Sequence, residues 1–151
     1  MRLVSCSLIV ACCSIGCAEP NTLTGSIEQS HDLTFDSVSL RLLTDQKVYQ
    51  LEYRLALEAG GNDIVAKLVF EQPEGGAAAG DDLDLLTLNA KVERITTAND
   101  PFPEDLEKAN ATFTAGGNEA DDQTTGEFAS TFGNGKTLNG TFDIPLEVEA
   151  F

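Results

Sequence analysis

The chain has 151 residues, with 25 acidic residues against nine lysines and arginines, and a formal net charge of −16. This length accommodates a single domain. The acidic surplus excludes nucleic-acid binding by phosphate neutralisation and attachment to anionic lipid through basic residues. Hydrophobic residues make up 42% of the chain, which supports a core and excludes disorder along its whole length.

The N-terminal segment has the pattern of a secretory signal peptide. Arg2 supplies a positive charge, and residues 3–18 are uncharged and largely apolar. About fourteen residues of this run precede Cys17, which is too short for a helix that crosses a bilayer core of ~30 Å. We therefore predict that residues 1–16 form a signal peptide that the mature protein lacks.

The end of this segment, Ser14-Ile15-Gly16-Cys17, resembles the lipobox of bacterial lipoproteins. The resemblance implies cleavage before Cys17 and attachment of a diacylglyceryl group to its sulfur, so that acyl chains anchor the protein in a membrane. Ser14 departs from the leucine that is usual at this position. By analogy with enterobacterial lipoproteins, Ala18 implies the outer rather than the inner membrane. The expected location is thus the cell envelope.

Two other interpretations of the segment remain open. Cleavage by ordinary signal peptidase after Ala18 would release a soluble secreted protein. A second lipobox-like match ends at Cys12, but it leaves a signal of only eleven residues. A disulfide framework is excluded, because all four cysteines lie within the first seventeen positions and none is left in the domain to pair with.

Beyond a tether at residues 17–22, residues 23–151 show apolar alternation at period two, which predicts strands with one buried and one wet face. Tyr49 and Tyr53 both fall on an inward face. The predicted fold is all-β, an antiparallel β-sandwich of about eight strands in one domain, or less readily a small closed barrel. The clearest alternating runs are 37–42, 47–58, 64–71, 86–93, 128–132 and 138–148.

Two further local features follow from proline and glycine. Pro103 suits the first position of a helix and acidic residues follow it, so one short helix is expected near 103–109. Pro145 indicates that the last strand ends its pairing there or lies at an edge.

In the C-terminal hairpin, a three-residue loop ending at a left-handed Gly135 keeps the apolar residues of both strands on one face. That register places Phe128 opposite Gly140 and Phe142 opposite Gly126, so that each ring covers a glycine.

Calcium is the one cofactor that the sequence leaves open. Carboxylates cluster in two predicted loops, and Ca²⁺ takes six to eight oxygen ligands. Neither cluster matches an EF-hand, and solvated loops that keep the protein soluble are the simpler interpretation. The candidate ligands are Asp81, Asp82 and Asp84 in the first cluster and Glu119, Asp121 and Asp122 in the second.

The remaining residues point away from catalysis. His31 is the single histidine, which excludes a typical zinc site, and we expect it to be a solvated loop residue. There is no nucleophile elbow and no phosphate-binding glycine motif. The sequence therefore predicts a non-enzymatic, envelope-anchored or secreted domain with a structural or protein-interaction role. The alternatives are a calcium- or glycan-binding module and a small barrel that binds an apolar ligand.

Overall fold

The computed structural model describes residues 21–98, 100–116 and 119–150. The predicted signal peptide, Cys17 and most of the tether therefore lie outside the described residues. Within these ranges the chain is all-β, as predicted, with nine strands and one 3₁₀ turn at Ser26–Gln29. No helix in these ranges combines the length and the apolar character that a membrane crossing requires.

The strands are numbered β1 to β9 in chain order. β1 begins at Thr22, the last residue of the predicted tether. The strands span Thr22–Thr24, Ser37–Leu43, Val48–Ala56, Asn62–Glu71, Asp82–Asp84, Lys91–Ile95, Leu106–Ala115, Gln123–Phe132 and Thr137–Glu149.

The nine strands form one continuous, curled, mixed sheet. Its path runs β5-β7-β8-β9-β2-β3-β4-β6, and β1 pairs with β9 beside this path. The expectation of purely antiparallel pairing is wrong at one place, because β2 and β9 run parallel where residues 40–43 pair with residues 146–149. β9 lies between β8 and β2, and it runs antiparallel to β8 and parallel to β2.

Pro145 lies where the ladder to β8 ends and the ladder to β2 begins. The pairing of β8 with β9 ends at Gln123 opposite Pro145, and the pairing of β9 with β2 starts one residue later, at Leu146 opposite Leu40. Leu146 still bonds on the β8 side, since its N–H donates to the carbonyl of Asp122 and its carbonyl accepts the N–H of Asp121. The prediction that the last strand ends its pairing at Pro145 or lies at an edge is therefore wrong, because β9 lies between β8 and β2 and pairs with β2 as far as Glu149.

The two halves of the curled sheet bury their apolar faces against each other. Tyr49 and Tyr53 of β3 point inward, as predicted, and contact Phe113 of β7 and Phe128 of β8 at ring-centroid distances of 6.4 and 6.2 Å. The Tyr53 hydroxyl, whose pKa is raised by burial, donates a 2.8 Å hydrogen bond to the carbonyl of Thr141 in β9. This bond satisfies a polar atom inside the core.

The strand predicted over 86–93 begins only at Lys91. Residues 85–90 form a turn, in which Asn89 has a φ of 52° and the Ala90 N–H donates to the carbonyl of Leu85. The turn buries Leu85 completely and leaves Leu86 41% exposed. The residue that faces the core is therefore one position earlier than the alternation indicated.

The short helix predicted near 103–109 is wrong. β7 starts at Leu106 and pairs with β8 along its length. Ala109, Ala111 and Phe113 alternate inward and are buried. Two alanines are a weak apolar signal, and the ladder to β8 supplies the backbone partners that a helix would have supplied internally.

The register predicted for the C-terminal hairpin is confirmed. Phe128 lies opposite Gly140 and Phe142 opposite Gly126, and the loop ends at Gly135, whose φ is 79°. A Cβ atom on either strand glycine would overlap the facing ring. Each glycine thus leaves room for the ring that covers it, and at Gly126 also for the Thr112 carbonyl oxygen.

We expect Gly126→Ala to lower the free energy of unfolding by about 1–3 kcal/mol, as overpacking does. The added Cβ would lie 2.5 Å from the Thr112 carbonyl oxygen and 2.7 Å from the Phe142 ring. Gly133→Ala is the matched control, since its Cβ would meet Asp105 at an ordinary 3.7 Å. Urea unfolding of both variants checks this, and equal losses would contradict the ring-over-glycine account.

Candidate functional site

A groove runs along the edge of β6, the strand at one end of the sheet. Its volume is about 900 Å³, and its walls are β6 and residues 100–104. No backbone hydrogen bond joins these two walls within the described parts of the chain. The groove thus lies directly beside an edge strand.

The hydrogen-bond pattern of β4 determines which side of β6 is free. Glu71 of β4 donates its N–H to the carbonyl of Leu88, on the β6 side. Because successive residues of a strand direct their backbone groups to opposite neighbours, the odd-numbered residues of β4 bond to β6. Their partners are Lys91 and Glu93, so these two residues use their backbone groups on β4.

The N–H and C=O groups of Val92 and Arg94 consequently point to the open edge. No backbone hydrogen bond to either residue on that side is formed within the described ranges. The Val92 side chain is buried, while Ile95 at the end of the strand is 56% exposed. The edge thus combines free backbone groups with a large exposed apolar side chain.

Arg94 connects β6 to the other wall of the groove. Its side chain is only 7% exposed, and its Nε lies 3.3 and 3.2 Å from the two carboxylate oxygens of Asp100. Its Nη1 donates to the carbonyls of Asp32 and Val65 at 3.0 and 3.1 Å. One buried guanidinium therefore holds the 100–104 segment, β4 and the loop before β2 together.

His31 also supports this wall, and the expectation that it is solvated is wrong. Its side chain is 8% exposed, its Nε2 donates to the carbonyl of Pro101 at 2.7 Å, and its ring packs edge-on against Phe102 at 5.2 Å. Nδ1 lies 2.9 Å from the Ser30 hydroxyl. Asp100 Oδ2 lies 3.8 Å from the same Nε2 atom. Because Nε2 donates to a backbone carbonyl of the 100–104 segment, the histidine fixes the position of that backbone.

Asp100 is the carboxylate through which this wall makes its ionic contacts. A 2.8 Å hydrogen bond from the Thr96 hydroxyl, together with the Arg94 guanidinium, holds the pKa of Asp100 below its ordinary value. The carboxylate is therefore ionised, and its contacts to Arg94 and Thr96 are strongest, over the whole neutral range.

The first acidic cluster lies at β5 and the turn before it. The Asp81 carboxylate accepts the N–H of Ala78 at 2.7 Å, and the Asp84 carboxylate accepts the N–H of Leu86 at 3.0 Å. Asp82 and Asp84 are exposed on the short edge strand. Two of the three carboxylates thus stabilise local turns.

The second acidic cluster lies between β7 and β8, where Glu119, Asp121 and Asp122 are all exposed. The N–H of Asp121 donates to the carbonyl of Leu146 in β9. Within residues 21–98, 100–116 and 119–150, no group of three His, Cys, Asp or Glu side chains is close enough to hold a metal ion. Calcium binding therefore remains a prediction, because the described part of the structure does not bring a set of ligands together.

A further charged cluster, which the sequence did not predict, lies on the outer face of β2, β3 and β4. Alternation with the inward-facing Tyr49 and Tyr53 predicts that Glu52 faces water, yet it is only 3% exposed. Arg41 Nη2 and Arg54 Nε each donate to its Oε2 at 2.9 Å, and Lys67 Nζ lies 3.6 Å from its Oε1. Three cations offset the desolvation of one carboxylate, and the cluster ties three strands together.

No family model, characterised protein or solved structure matches this chain. Function is therefore inferred from the residues themselves. Sequence analysis missed the β6 groove, because Lys91 to Ile95 carry no signal that distinguishes an edge strand from an inner one. The prolines at 101 and 103 were a usable signal for an irregular segment beside a strand.

We expect Asp100→Asn to lower stability in a pH-dependent way. The folded-state pKa of Asp100 lies below the unfolded-state value, so the carboxylate contributes fully above the unfolded value and loses its contribution as the pH falls through the folded-state pKa. The difference in unfolding free energy between the wild type and Asp100→Asn should be largest above about pH 5 and should disappear below about pH 4.

Urea unfolding at a series of pH values checks this, with Asp105→Asn as the control at an exposed aspartate. A gap of equal size at pH values of about 3 and 7 would contradict the assigned role of Asp100.

We expect Ca²⁺ and Mg²⁺ at matched ionic strength to change the melting temperature equally, through screening of the acidic surface. A specific ligand at a hundred times its dissociation constant would instead add about 2.7 kcal/mol, a rise of several degrees. Thermal melts in chelator and in each ion check this. A rise specific to Ca²⁺ that Asp82→Asn abolishes would establish the first acidic cluster as a calcium site.

Proposed function

We propose that this protein is a non-catalytic, lipid-anchored domain of the cell envelope with a structural or protein-interaction role. The observation that carries the interaction role is the open edge of β6 beside a groove of about 900 Å³. Free backbone groups at a sheet edge are a common means of binding a second chain.

The anchor is proposed from Cys17 and the residues before it. Two or three acyl chains on this cysteine would hold the domain durably at a membrane, outer rather than inner by the analogy drawn from Ala18. The acidic surface suits this arrangement, because repulsion from anionic lipid headgroups would keep the domain away from the membrane surface. A soluble secreted form is the alternative.

We propose that the protein is not an enzyme, because its potentially reactive side chains make structural contacts. Ser30, His31 and Asp100 are the residue types of a hydrolytic triad, but their bonding differs from one. His31 Nε2 bonds to the Pro101 carbonyl rather than to a carboxylate, and Asp100 bonds to Arg94 and Thr96. These contacts support a positioning role for His31.

The fold of the proposed domain is a two-layered β-sandwich. The ring contacts of Tyr49 with Phe113 and of Tyr53 with Phe128 join opposite halves of the curled sheet, and they support a filled interior rather than the open cavity of a ligand-binding barrel.

The anchor is tested by expressing the full chain in a bacterial host with a labelled fatty acid. We expect the wild-type protein to incorporate the label and to partition into detergent, whereas Cys17→Ala does neither. Cys12→Ala is the matched control and should behave as the wild type does. A wild-type protein that stays unlabelled and appears in the medium would contradict the anchor and favour the secreted form.

A further inference from the structure

We propose that the edge of β6 binds an extended segment of a partner protein, in which basic residues alternate with apolar ones. The segment would add a strand to the sheet by bonding to the backbone groups of Val92 and Arg94. This inference rests on the proposed interaction role and names its surface and the chemistry of its partner.

The two ends of the sheet differ in how they are protected. β5, at the other end, has only three residues, and its exposed side chains are Asp82 and Asp84. Short length and charge are the usual devices that prevent a further strand from pairing at an edge. β6 has five residues and ends in Ile95, one of two exposed large hydrophobic residues in the described chain. The edge of β6 is therefore the one open to pairing.

The groove supplies space for the added strand. Its volume of about 900 Å³ is at the upper end of the range that ligand pockets occupy. The 100–104 segment forms the far wall without a backbone hydrogen bond to β6, and the side chains of Arg94 and His31 hold that wall in place. An incoming strand would therefore meet a preformed site, which lowers the entropy lost on binding.

The side chains around the groove specify the partner. On its inner face, an added strand would meet Val92 and the half-buried Phe102, which favour apolar residues. On its outer face it would lie beside Lys91, Glu93 and Ile95, which are all exposed. Glu104 also lines the groove, so two exposed carboxylates stand there against one lysine. Since side chains alternate between the faces of a strand, apolar residues should alternate with lysine or arginine.

A second copy of this chain is a poorer occupant. Each copy carries a formal net charge of −16, so pairing two β6 edges would bring two strongly acidic domains together against their mutual repulsion. A basic segment is instead attracted by the same field, which also accelerates its association.

The test uses the full-length protein in mild detergent and a capped, fluorescent seven-residue peptide in which lysine alternates with valine. We expect saturable binding by fluorescence anisotropy, together with slowed hydrogen exchange at the Val92 and Arg94 amides. The same peptide with N-methyl groups on alternate backbone amides should not bind, because it cannot form the ladder.

Three variants distinguish the effects of charge and of apolar contact on peptide binding from the effect of a general loss of structure. Glu93→Lys should weaken binding of the lysine peptide about tenfold, equivalent to about 1.4 kcal/mol, and should favour a peptide with glutamate in place of lysine. Ile95→Lys should also weaken binding. Leu86→Lys is the matched control, because Leu86 is likewise exposed but lies outside the groove, and it should bind as the wild type does.

Several outcomes would overturn the inference. These are equal binding of the N-methylated peptide, an equal effect of Leu86→Lys and Ile95→Lys, or no binding at all. Concentration-dependent dimerisation that Ile95→Lys abolishes would make a second copy the occupant. The labelling experiment on Cys17 does not depend on β6, so failure here leaves the membrane anchor standing, and failure there leaves the peptide site standing.

Discussion

The pairing of β9 with three different strands is the constraint on which the rest of the structure depends. Its first part pairs with β8 on one side and with β1 on the other, and its last four residues pair with β2. Without β9 the two halves of the sheet would share no ladder. Pro145, which has no N–H group to donate, stands immediately before the residues that pair with β2.

Several basic side chains are engaged in internal contacts, which makes the surface of the protein more negative than its net charge alone implies. Arg94 is nearly buried against Asp100, and Arg41, Arg54 and Lys67 surround Glu52 with their side chains largely covered. Half of the eight basic residues beyond Arg2 thus serve internal networks, whereas most carboxylates remain exposed. Such a surface attracts cationic partners and repels copies of itself, which links the composition to the chemistry proposed for the β6 groove.

The groove exists because one of its walls is a segment without regular secondary structure. Residues 100–104 lie beside β6 without joining the sheet, and they are held there by side chains from two separate parts of the chain, His31 before β2 and Arg94 and Thr96 at the end of β6. Pro101 and Pro103 suit this position because proline is a poor partner in a ladder. An edge that a regular strand would have covered is left open, and side-chain hydrogen bonds rather than backbone pairing position the wall.

The sequence alone determined the all-β class, the inward faces of most strands and the register of the C-terminal hairpin. These are local properties, since period-two alternation and the Phe128–Gly140 and Phe142–Gly126 pairs depend on residues close together in the chain. The error near 103–109 has the same origin, because Pro103 and the acidic residues after it carried a stronger local signal than Ala109 and Ala111.

Only the tertiary structure decided the parallel pairing of β2 with β9, the burial of His31 and Glu52, and the open edge of β6. Alternation is identical in parallel and antiparallel strands and in inner and edge strands, so it contains no information on which strands are neighbours. His31 meets Pro101, and Thr22 meets Thr141, across separations of 70 and 119 residues. Contacts of this kind arise from how the whole sheet curls, and no local pattern encodes them.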